Sequence, residues 1–139
     1  MKFFIASVIT LASIQSFASG YLCEGVDSEN HTYRVKLYNE VDPGAGTKNP
    51  AALIVSTPTV GTIATVKGQD IAKINGERAV TFSGISHDYH TGRYVSVQLV
   101  IAKAAQAGGK NHFGRLSLAA DHVQVDAKLS CAYVLKGNN

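Results

Sequence analysis

From Val123 to Leu135 the odd positions are Val123, Val125, Ala127, Leu129, Cys131, Tyr133 and Leu135. Between them stand Gln124, Asp126, Lys128, Ser130, Ala132 and Val134. A period of two fits extended backbone, because a strand sends successive side chains to opposite faces. The segment therefore reads as a long strand with one dry face, and it places Cys131 inward. Thr32 to Tyr38 repeats the pattern: Tyr33, Val35 and Leu37 alternate with Thr32, Arg34 and Lys36. The same parity puts Tyr21 and Cys23 on one face of a short first strand.

Further β-rich runs are 51–56 (AALIVS), 61–66 (GTIATV), 93–101 (RYVSVQLVI) and 113–120 (FGRLSLAA). In the third, Val95, Val97, Leu99 and Ile101 share a face, and in the last Leu116 and Leu118 point to the core. Tyr21, Tyr33, Phe82, Phe113 and Tyr133 occupy positions compatible with a core. Punctuation falls between the runs. Asp42-Pro43-Gly44-Ala45-Gly46 and Gly108-Gly109-Lys110-Asn111 are turn-rich, and Thr57-Pro58 separates two strands. Asn75-Gly76 predicts a two-residue hairpin turn of the type that needs φ > 0 at both central residues. The alanine-rich stretch 102–107 is too short to hold a helix on propensity alone. The expected fold is all-β: a single antiparallel β-barrel or β-sandwich of about eight strands.

Only at its start does the chain depart from this pattern. Met1-Lys2 gives a positive beginning, Phe3 to Leu11 is apolar, and Ser16-Phe17-Ala18 places small residues before a cleavage point. That is the three-part pattern of a secretory signal peptide. The domain reading is thus 1–18 signal peptide and 19–139 a single β domain. Gly20-Tyr21-Leu22-Cys23 has bulky residues before the cysteine, which argues against a lipid anchor. Export implies a periplasmic or extracellular setting, where a lone cysteine pair forms a disulfide. Cys23 and Cys131 are the chain's two cysteines. Their bond would join the first strand to the last. Closing a loop of that size is worth about 4–5 kcal/mol in chain entropy.

Composition excludes several classes. The 139 residues are 45% hydrophobic and 17% charged, too apolar for a disordered chain. No apolar run reaches the length of a membrane helix. A formal charge of +3 without a basic stripe offers no nucleic-acid footprint. Two cysteines exclude a four-cysteine zinc site.

Candidate chemistry concentrates in one loop. His87-Asp88-Tyr89-His90 groups three metal-ligand types, with His112 and His122 elsewhere. Zinc needs three or four converging ligands, yet in an extended segment His87 and His90 point to opposite faces. No metal or other cofactor is therefore expected. Ser86-His87-Asp88 has the residue types of a nucleophilic triad, but triad members usually come from separate elements, and no G-x-S-x-G elbow is present. The loop reads better as a binding surface in which His87, Tyr89, His90 and Arg93 supply aromatic and basic contacts. Asn30-His31-Thr32 is a glycosylation sequon in a eukaryotic host.

Tyr21-Leu22-Cys23-Glu24-Gly25, Tyr33-x-Val35-Lys36-x-Tyr38-Asn39, Gly46-Thr47-x-Asn49-Pro50-Ala51-Ala52-Leu53-Ile54-Val55-Ser56, Gly61-Thr62-Ile63-Ala64 and Leu129-x-Cys131 carry a likeness over nearly the whole mature chain. With these the chain resembles an uncharacterised family of small exported single-disulfide proteins of predatory Gram-negative bacteria. That resemblance implies no activity and lends no site residue. A looser likeness is to the small periplasmic lysozyme-inhibitor barrels of the C-type class, which begin with a Tyr-x-Cys strand. Their inhibitory loop has a Ser-Gly-x-Gly-Ala-x-Tyr pattern, from which Ser83-Gly84-Ile85-Ser86 departs after two residues.

The function expected from these features is a non-enzymatic binding or inhibitor-like protein acting on a protein or envelope component. Two rivals remain: a small-molecule carrier with an apolar interior, and a metal-dependent hydrolase using His87 and His90.

Overall fold

A computed structural model describes residues 20–38, 52–88, 92–103 and 112–134. Residues 1–18, expected from the sequence to be a leader, lie outside the described residues, as do Tyr89, His90, Leu135 and the turn-rich segments at 42–46 and 108–111. The described residues form nine strands in one antiparallel sheet, curled into a half-barrel. In chain order these are β1 (Gly20–Asp27), β2 (Thr32–Tyr38), β3 (Ala52–Thr57), β4 (Gly61–Lys67), β5 (Ala72–Asn75), β6 (Ala79–Asp88), β7 (Arg93–Ala102), β8 (His112–Ala120) and β9 (Val123–Val134). A short 3-10 turn, Gly68–Asp70, links β4 to β5. Among the described residues no helix is long and apolar enough to cross a membrane.

The spatial order is β4-β3-β2-β1-β9-β8-β7-β6-β5. Two meanders, β1 to β4 and β5 to β9, are therefore joined through the pairing of the first strand with the last. In that pairing Cys23 stands directly opposite Cys131, and the two form a disulfide with Cα atoms 4.1 Å apart. Both cysteines are buried. Gly114 on β8 makes room for them: a Cβ there would lie 2.6 Å from Cys131 Sγ and 3.3 Å from the Val100 carbonyl oxygen.

Alternation decides what fills the concave side. Tyr33, Val35 and Leu37, then Val97, Leu99 and Ile101, then Leu116 and Leu118, then Ala127, Leu129 and Cys131 all point inward. Fully burying a side chain of this size is worth about 1.5–3 kcal/mol. Tyr21 of β1 meets Phe82 of β6 across the interior, with ring centroids 6.2 Å apart. Tyr133 packs edge-on against Tyr21 at 5.0 Å. The concave face is thus occupied by the protein's own side chains.

Two expectations need correction. Phe113 is not in the core; it is 61% exposed. The alternation that sends Leu116 and Leu118 inward sends Phe113 outward and places Gly114 inside instead. The Asn75-Gly76 turn is also displaced. Asn75 pairs with Val80, and the Gly76 N–H donates to the Ala79 carbonyl at 2.9 Å. The chain reverses at Glu77-Arg78, and no residue from Asn75 to Ala79 adopts a positive φ.

Candidate functional site

Antiparallel register brings four connections to one end of the half-barrel: those between β1 and β2, β3 and β4, β6 and β7, and β8 and β9. The exposed large hydrophobic residues among those described are Leu22, Val26, Val60, Ile74, Ile85, Tyr94, Phe113 and Val123. Five of these eight, namely Val26, Val60, Ile85, Tyr94 and Val123, stand at this hairpin-tip end.

Part of the loop expected to bind is visible here. His87 is exposed on the outer face of β6 and pairs across the strands with Tyr94 of β7. Their rings lie 4.7 Å apart. Arg93 opens β7, its Nε 3.5 Å from Asp121 Oδ2 in the β8–β9 turn. Tyr89 and His90 belong to the same hairpin but lie outside the described residues. His122 is exposed in the β8–β9 turn, whereas His112 starts β8 opposite Cys131, away from the tips.

The serine beside His87 has a structural task. Ser86 is buried, and its Oγ accepts a hydrogen bond from the Thr65 N–H of β4 at 2.9 Å. As neighbours on one strand, Ser86 points inward and His87 outward, so the hydroxyl and imidazole do not form a catalytic pair. Ser83-Gly84-Ile85-Ser86, the segment compared with an inhibitory loop, lies within β6 rather than in a loop. Gly84 packs against the Val66 side chain there.

A concavity at this end was not apparent from the sequence. The β1–β9 register ends at Asp27 opposite Ala127, so Val123–Asp126 continue past the end of β1. Between that extension and the β1–β2 tip lies an open cleft of about 1000 Å3. Val26, Val123 and Val125 give it apolar walls, and Arg115, Asp126 and Lys128 give it charge. Asp126 Oδ1 accepts from the Ser117 hydroxyl at 2.9 Å and lies 3.6 Å from Arg115 Nε.

Asp27 organises the tip beside this cleft. Its Oδ1 accepts from the backbone N–H groups of Glu29 and His31, each at 2.9 Å. The Asn30 N–H donates to the Asp27 carbonyl at 3.1 Å, with Asn30 in the left-handed region at φ 68. Asp27 Oδ2 faces His31 Nδ1 at 3.3 Å and accepts from the Tyr33 hydroxyl at 3.4 Å. Burial of the Asp27 carboxyl favours its neutral form. The His31 and Glu29 N–H donors and the His31 ring outweigh that, and hold it below its ordinary pKa. Burial, followed by the adjacent Asp27 charge, pushes the Tyr33 phenol above its usual value. The only signal in the sequence is the alternation Asp27-x-Glu29-x-His31-x-Tyr33, and it becomes a cluster only because the tip turns back on itself.

No family model, no curated protein and no solved structure matches the chain.

Proposed function

We propose that the chain is an exported, non-enzymatic binding protein that engages a protein or envelope component through its hairpin-tip end. The observation that carries this reading is the gathering of Val26, Val60, Ile85, Tyr94 and Val123 on that end. Apolar side chains clustered around polar rims mark interaction sites more often than scattered ones do. His87 and Arg93 add the aromatic and basic contacts expected of the β6–β7 hairpin. The leader pattern and the Cys23–Cys131 bond are compatible with an oxidising compartment. A filled concave face favours this reading over a carrier, and the opposite orientations of Ser86 and His87 favour it over a serine hydrolase.

Photo-crosslinking tests it. Tyr94 and Ile74 are each 64% exposed, but Ile74 lies on β5, towards the opposite end of the half-barrel. A benzophenone side chain placed at Tyr94 or Ile85 in the exported protein should yield an adduct of defined mass that Ile74 does not. Identical adducts from all three positions, or none from Tyr94 and Ile85, would reject the reading.

A further inference from the structure

The β1–β2 tip holds donors of mixed chemistry: the carboxylates of Asp27 and Glu29 and the imidazole of His31. One ligand atom from each lies within 4.8 Å of the others. His31 Nδ1 is 3.3 Å from Asp27 Oδ2 and 3.7 Å from Glu29 Oε1. A tetrahedral ion with bonds of about 2.0–2.1 Å to nitrogen and oxygen needs donors about 3.4 Å apart. The His31–Asp27 spacing matches that value and the His31–Glu29 spacing lies close to it, so rotation of the exposed Glu29 side chain can complete the fit.

The tip's own bonding and the cleft beside it support the fit. Asp27 is only 9% exposed, and its Oδ1 is committed to two backbone N–H groups. Its Oδ2 is thereby held in place facing His31 Nδ1. The same three residues also line the cleft of about 1000 Å3. A bound ion would thus have solvent on one side, as a site with an open coordination position requires. The imidazole decides the class of ion. Hard cations such as calcium and magnesium prefer all-oxygen shells, whereas zinc accepts imidazole together with carboxylate.

We propose that Asp27, Glu29 and His31 form a binding site for a divalent transition-metal ion of the zinc class, with its remaining position open to the cleft. The proposal does not rest on the binding reading above, because the cross-linking positions lie on β6 and β7 and the metal donors on the β1–β2 hairpin. Binding forms coordinate bonds from neutral His31 Nδ1 and the two carboxylates, and any proton on the imidazole is released to solvent.

The test is calorimetric titration of the oxidised protein, carrying no histidine tag, with zinc chloride. One saturable site per chain is expected. His31→Ala and Glu29→Gln should each abolish it, while His87→Ala and His122→Ala should leave it intact. The His31 and Glu29 side chains are 64% and 76% exposed, so both variants should keep the wild-type circular dichroism. Zinc should also shift the His31 ring resonances before those of any other histidine. The absence of saturable binding overturns the proposal, as does binding that survives His31→Ala. Calcium binding as tight as zinc binding overturns the assignment of metal class.

Discussion

The half-barrel has two closures, and they are built differently. One joins β1 to β9 through a continuous run of register pairs from Gly20–Val134 to Asp27–Ala127, with the disulfide inside it. The other brings β4 against β6, where the Thr65–Ser86 hydrogen bond spans the contact and Gly84 lets Val66 approach. Sequence separation accounts for the difference. Cys23 and Cys131 are 108 residues apart, whereas Thr65 and Ser86 are 21 apart. Loop-closure entropy rises with separation, so the covalent bond stands where bringing the strands together costs most. The short-range contact holds with a serine hydroxyl and close packing.

The largest effect should come from removing the covalent closure. Cys23→Ala/Cys131→Ala should lower the unfolding free energy by about 2–5 kcal/mol, read from urea denaturation at fixed pH. If the loss is no greater than that of a single β4–β6 variant, the two closures are not energetically distinct.

Gly84→Ala comes next. Its new Cβ would meet the Val66 side chain and stand 2.9 Å from the Asp70 carbonyl oxygen. Overpacking of this kind costs about 1–3 kcal/mol. Combining it with Val66→Ala should recover part of the loss in a double-mutant cycle, and strict additivity would show that the two side chains do not meet.

Ser86→Ala should cost about 1 kcal/mol, because it leaves the Thr65 N–H without its acceptor. Hydrogen exchange at Thr65 should quicken selectively. A protection pattern unchanged at Thr65 would mean that this hydrogen bond does not close the β4–β6 contact.

The smallest effect concerns acid. The Asp27 pKa is depressed in the folded state, so the unfolded chain binds more protons as pH falls. The stabilisation is present above the unfolded carboxyl value of about 3.9 and is lost as pH drops through the folded value. Chemical shifts of Asp27 followed by NMR should titrate below that value, and the β1–β2 tip should loosen before either closure does. A midpoint at or above it would contradict the tip geometry.

Particular residues show how much was legible in advance. The strand at Val123 and the inward directions of Cys23, Cys131, Leu116 and Leu118 follow from period two, because neighbouring side chains on a strand cannot share a face. That rule also sends Phe113 outward, despite its hydrophobicity. Asn75-Gly76 misled because a turn is set by the register of the strands it joins as well as by local preference. The placing of His87 and Arg93 at one hairpin follows from their nearness in sequence. The cleft and the Asp27–Glu29–His31 cluster could not be anticipated, since they depend on where β1 stops relative to β9 and on the path of a tight tip.

By itself the sequence determined strand content, the faces of the strands and the two cysteines as partners, because each follows from local alternation and from simple counting. Only the tertiary structure decided the strand order, the meeting of β4 with β6 and the gathering of four hairpin tips at one end. Those depend on register between segments far apart in the chain, and pairing energies between strands leave no periodic mark on either strand alone.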